Sequence, residues 1–87
     1  MNARARFIEL TLEWINTRHA PPGVTVAAET ALFAEGIISS IKVLDLIAWT
    51  ERAIGREIAD IDIKLDNFRT VARIAEVFVT EAHHAAA

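Results

Sequence analysis

Apolar residues recur along this chain at helical spacing in three stretches, separated by irregular ones. Between Ala3 and about Thr17, Phe7, Leu10 and Trp14 fall on one face, and Ile8, Leu12 and Ile15 widen it. The pattern predicts a first helix capped by Asn2. So broad an apolar face favours core packing for Trp14 over contact with a partner. Pro21-Pro22-Gly23 then ends any helix and opens a loop that reaches nearly to Ser39. A loop of that length in a small domain carries function or packs its own side chains. Val24, Val26, Leu32 and Phe33 supply such side chains, and a helical turn over residues 30–35 would pin the last two into the core.

Gly36-Ile37-Ile38-Ser39-Ser40-Ile41 leads into a second helix, predicted over residues 40–54. Ser39 reads as its N-cap, with a side-chain oxygen able to accept from a first-turn N–H. Ser40 then lies in the first turn, where unpaired N–H groups and the helix dipole favour a negative group such as a phosphate. Val43, Ile47, Thr50 and Ile54 cluster on one side, with Leu46 beside them, and should face the core. Ile41, Asp45, Ala48 and Arg52 lie opposite, and Trp49 on the flank suits half-buried packing and partner contact alike. Gly55 stops this helix. Ile58, Ile61 and Ile63 alternate with Asp60 and Asp62, but one strand would have no partner. The segment therefore reads as a loop leading into a short third helix around residues 65–68. Thr70 caps a fourth helix, in which Val71, Ile74, Ala75 and Phe78 make one face and which frays near Ala82. Residues 82–87 read as a disordered tail. The expected fold is all-α: one domain over residues 1–87, a small four-helix bundle of three longer helices, one short helix and a long first loop.

Composition narrows the chemistry. Eighty-seven residues make one small domain near the lower limit for stability without staples. The absence of cysteine excludes disulfides and thiolate metal sites. No apolar run approaches membrane-spanning length, and Phe7-Ile8-Glu9-Leu10 is interrupted by an acid, unlike a secretory signal. A cytoplasmic chain without membrane insertion is expected. The net charge of −3 and the lack of a basic run argue against nucleic acid. Asp60 and Asp62 lack the glycine and terminal glutamate of a calcium loop. His83 and His84 are adjacent and have no third ligand nearby, so no metal is expected. No histidine makes a credible nucleophile–base arrangement with Ser39 or Ser40, and no catalytic residue is expected.

Three blocks resemble a known family. Leu32-Phe33, then Gly36 through Ile41, is similar to the phosphopantetheine attachment site of acyl and peptidyl carrier proteins, usually a glycine, one or two apolar residues and Asp-Ser-Leu. Leu44, Leu46, Ile47, Glu51, Ile54 and Gly55 fit the family's second helix. Phe68-Arg69-Thr70-Val71-Ala72-Arg73-Ile74 matches the Phe-x-Thr-Val-x-x-Ile that opens its last helix. The resemblance covers roughly residues 7–79. It implies a carrier, not an enzyme. A 4′-phosphopantetheine from coenzyme A would be attached to Ser40 and hold an acyl or aminoacyl group as a thioester. Ser39 is the second choice, because using it moves the acidic position from Glu51 to Thr50. The outward face (Ile41, Asp45, Ala48, Trp49 and Arg52) would dock partners. The partners implied are a phosphopantetheinyl transferase, an acyl- or aminoacyl-activating ligase, and downstream acyl-transfer or condensing enzymes, meeting a carrier that is a monomer.

Two departures bear on this reading. Ser39 stands where the family most often has aspartate, which keeps a cap and loses a charge. Lys42, Asp45, Glu51 and Arg52 sum to zero, so the face steers poorly by long-range electrostatics. These features suit a free-standing carrier of a specialised pathway, and the two-residue spacer Ile37-Ile38 resembles aminoacyl and D-alanyl carriers. They also leave open a degenerate carrier fold that is never modified and acts as a protein-interaction module.

Overall fold

The computed structural model describes residues 2–80, and they form an all-helical fold. Three α-helices, α1 (Ala3–Arg18), α2 (Val43–Ile54) and α3 (Val71–Phe78), are joined by a long first loop and by a second connection holding two 3-10 turns. No strand occurs among the described residues. The short helix expected at residues 65–68 is a single 3-10 turn, Leu65–Phe68, preceded by another at Asp60–Asp62. The expected fraying near Ala82 and the tail at 82–87 lie outside the described residues.

α1 begins where Asn2 Oδ1 accepts from the Ala5 N–H at 2.6 Å. Its buried line is Phe7, Thr11 and Ile15, with Leu10 and Trp14 half-buried at the sides. The centre of the face is therefore displaced by one position from the line through Leu10 and Trp14. α3 follows its sequence pattern closely. Thr70 Oγ1 accepts from the Arg73 N–H at 2.9 Å, and Val71, Ile74, Ala75 and Phe78 are all buried. This helix packs against α1 and the second 3-10 turn, where the Phe68 and Phe78 rings stack at 5.3 Å.

The long loop packs its own side chains. Val26 and Leu32 are buried, and Phe33 is half-buried. The expected turn is present: the Glu35 N–H donates to Ala31 O at 2.9 Å and the Gly36 N–H to Phe33 O at 3.1 Å. Gly36 closes it at φ +74°, in the left-handed region that a side chain disfavours. The Asn16 side chain clamps the loop to α1. Its Nδ2 donates to Leu12 O and Val26 O, and its Oδ1 accepts from the Val26 N–H at 2.7 Å. Two backbone bonds stitch the loop to the entrance of α3: Leu32 N–H to Arg69 O and Ala72 N–H to Ala28 O, both 2.9 Å.

The core thus draws on every segment, with Ile15, Leu32, Leu46 and Ile74 fully enclosed. Each such side chain contributes about 1.5–3 kcal/mol by leaving water. That burial fixes where α2 can start and what it exposes.

Candidate functional site

The approach to the serine pair is anchored from below. Ile37 and Ile38 are buried, and both of their N–H groups donate to Leu32 O, at 2.9 and 3.0 Å. The chain must then leave the core before a helix can begin. It does so in a turn over residues 40–42, so α2 opens at Val43 and not at Ser40. Ser39 does act as a cap, but of this turn: its Oγ accepts from the Lys42 N–H at 3.3 Å. The Asp45 N–H donates to Lys42 O at 3.0 Å, three residues back, which marks a tight opening.

Ser39 and Ser40 are both exposed. They differ in engagement: the Ser39 oxygen is spent on the turn, whereas the Ser40 hydroxyl has no hydrogen bond to the described residues. Of the first-turn N–H groups of α2, just beyond Ser40, that of Asp45 is taken by Lys42 O, while those of Val43 and Leu44 have no acceptor earlier in the helix.

The expected core side of α2 holds. Leu46, Ile47 and Thr50 are buried, and Val43 and Ile54 are half-buried. Thr50 satisfies its buried hydroxyl by donating to Leu46 O at 2.8 Å. On the outward side Ile41 is 84% exposed, and Asp45, Ala48 and Arg52 are also exposed. Leu44 is 70% exposed, so it joins this surface and not the packed side. Its offset of three from Ile41 is the helical-face signal that could have revealed it.

Trp49 is half-buried and held from within. Its Nε1–H donates to Thr11 Oγ1 at 3.0 Å, and its indole stacks on Trp14 with centroids 5.0 Å apart. It pins α2 to α1 at the back of the exposed face. His19 closes the same cluster, meeting Trp14 edge-on at 4.8 Å. Both ring nitrogens of His19 are buried and unpartnered among the described residues. Burial lowers its pKa below the ordinary 6.5; Asp45 opposes the shift, and Lys42 and Arg18 reinforce it. The histidine at the end of α1 therefore feels the charges that open α2.

Gly55, at φ +76°, ends α2 by donating its N–H to Glu51 O. Glu51 accepts from the Ile58 N–H at 2.9 Å and fixes the chain as it leaves the helix. Ile58 is buried, while Ile61, Ile63 and Leu65 are exposed.

No group of three histidine, cysteine or acidic residues placed to hold a metal occurs among the described residues. Among the same residues, no helix is long and apolar enough to cross a membrane. No protein-family model, curated protein or solved structure matches this chain.

Proposed function

We propose that this chain is a carrier protein whose Ser40 hydroxyl takes a 4′-phosphopantetheine arm from coenzyme A. The observation that carries the reading is the contrast within the serine pair. Ser40 is exposed and unengaged on a turn that Ser39 holds in shape, and Ile41 and Leu44 stand bare beside it. The site fits a phosphodiester: the hydroxyl is open to a transferase, and the positive end of α2 follows directly. Once attached, the arm supplies a thiol that carries an acyl or aminoacyl group as a thioester.

The chain's own residues supply position, not catalysis. Ile37 and Ile38 tie the turn to the core, the Trp14–Trp49 stack fixes the bearing of α2, and Ser40 is presented outward. Ile41, Leu44, Asp45, Ala48 and Arg52 form the face that a transferase, a loading ligase and acyl-transfer or condensing enzymes would read. Trp49 supports that face from behind. With a net-neutral charge set, apolar contact carries recognition and long-range steering contributes little. Tethering raises the effective concentration of cargo at each partner's active site.

Intact mass after incubation with coenzyme A and a broad-specificity phosphopantetheinyl transferase tests this. A gain of one arm that survives Ser39→Ala and vanishes in Ser40→Ala is expected. If protein from the native host also lacks the arm, the carrier reading fails. The neutral helix and the serine at position 39 would then mark an unmodified interaction module.

A further inference from the structure

The end of the bundle away from Ser40 holds a cavity of about 320 Å³. Its floor is apolar, built from Phe7 and Leu10 of α1, Ile54 at the end of α2 and Phe78 at the end of α3. Arg6 and Arg56, both exposed, also line it, and no acid does among the described residues. The Arg56 guanidinium is positioned by donating from Nη2 to Phe78 O at 3.2 Å, which leaves most of its five N–H groups for a ligand. Arg4 braces the same wall, its Nε donating to Val79 O at 2.9 Å. Arg6 pairs with Glu9 at 2.9 Å on the open surface, where an ion pair is weak and exchangeable.

These features select one ligand chemistry. The chain carries a net charge of −3, yet this hollow gathers positive charge over an apolar floor. Guanidinium groups match a carboxylate in charge and geometry. The volume lies at the small end of the range for ligand sites.

We propose that this cavity binds a free medium-chain aliphatic monocarboxylate non-covalently, with its carboxylate on Arg56 and Arg6 and its tail over Phe7, Leu10 and Ile54. The site is separate from any arm on Ser40. The 12 residues of α2 span about 18 Å, and the two sites lie at its opposite ends.

The test uses the full chain with Ser40→Ala, so that arm attachment plays no part. Decanoate, decanol and acetate are titrated by calorimetry and by amide shifts in NMR spectra. Decanoate should bind and shift the amides of Ala53, Ile54 and Val79. Decanol, which lacks the charge, should bind about tenfold more weakly, and acetate, which lacks the tail, should not bind detectably. Arg56→Gln should cost decanoate about tenfold. Because Arg56 also supports the Phe78 carbonyl, a second variant is needed. Ala53 is an exposed lining residue, so Ala53→Leu should narrow the cavity, keep the fold and abolish binding. The proposal is overturned if decanoate does not bind, if decanol binds as tightly, if the shifts map elsewhere, or if binding persists in folded Ala53→Leu.

Discussion

α3 and the segment 39–44 draw on the same aliphatic residues and use them in opposite ways. α3 has only eight residues, yet it buries Val71, Ile74, Ala75 and Phe78, and Thr70 caps it with a 2.9 Å bond. In the segment, Ile41 and Leu44 stand 84% and 70% exposed, and the Ser39 cap is a longer 3.3 Å contact. A domain this small has little core to spare. Ile41 and Leu44 are nonetheless left bare, three apart at the entrance to α2, as Ile61 and Leu65 are in the second connection. The two regions divide the apolar residues between them: α3 with α1 encloses its side chains in the core, and the segment leaves Ile41 and Leu44 on the surface.

The largest expected effect tests that division directly. Ile74→Ala should cost about 2–5 kcal/mol, because the side chain is fully enclosed and its removal leaves a cavity. Ile41→Ala and Leu44→Ala should each stay within about 0.5 kcal/mol in urea unfolding. On the carrier reading proposed above, the same two surface variants should slow arm transfer to Ser40, whereas Ile74→Ala should affect it only through stability. If Ile41→Ala proved as costly as Ile74→Ala, the two regions would not differ in the way the exposures imply.

What was legible in the sequence follows the same division. The caps at Asn2 and Thr70 and the four-residue face of α3 are local features, set by residues within a turn of one another, and they stand where the pattern put them. The all-helical class follows from the same periodicity. The start of α2 was not legible, because it depends on Ile37 and Ile38 both bonding back to Leu32. The short third helix was not recovered as one, since residues 65–68 make only a 3-10 turn. Thr11 lies at the centre of the buried line of α1 because Trp49 reaches it from another helix, and periodicity alone sees a polar interruption there. At the site, Ser39 as a cap could be read from its neighbours. The exposure of Leu44 was signalled only by its offset of three from Ile41. The arginine-lined cavity was not legible, since its lining comes from the ends of three helices.

Asn16 carries a prediction of intermediate size. The loop that leads to the serines is held to α1 by this one side chain, which serves both the N–H and the C=O of Val26. Asn16→Ala leaves two backbone groups unpaired beside a buried valine and should cost about 1–3 kcal/mol. Hydrogen exchange should rise first at Val26 and its neighbours, while α3 keeps its protection. Smaller again is the comparison of the two caps. Thr70→Ala should cost about 1 kcal/mol. Ser39→Ala should cost less than Thr70→Ala, because its bond is longer, exposed and outside a regular helix. Equal losses in thermal unfolding would show that the serine turn is as firmly built as the core helix.

The smallest expected effect concerns His19, which links the two regions: it ends α1 and feels Lys42 and Asp45 at the opening of α2. Burial against Trp14 lowers its folded pKa below the ordinary 6.5, so the unfolded chain takes up a proton at a pH where the folded chain does not. Its contribution to stability is therefore fully present above pH 6.5 and is lost as the pH falls through the lowered folded value. Carboxylates titrate in the same acid range, so the useful quantity is the difference from His19→Gln, which keeps a polar side chain and removes the titration. Urea midpoints between neutral pH and about pH 5 should fall further for the wild-type chain than for the variant. The wild-type tryptophan emission should change over the same interval, because the imidazolium forms at the edge of the Trp14 ring. Parallel curves would mean that the histidine meets water as freely folded as unfolded. The junction between α1 and the serine turn would then be looser than the stacking of Trp14 on Trp49 implies.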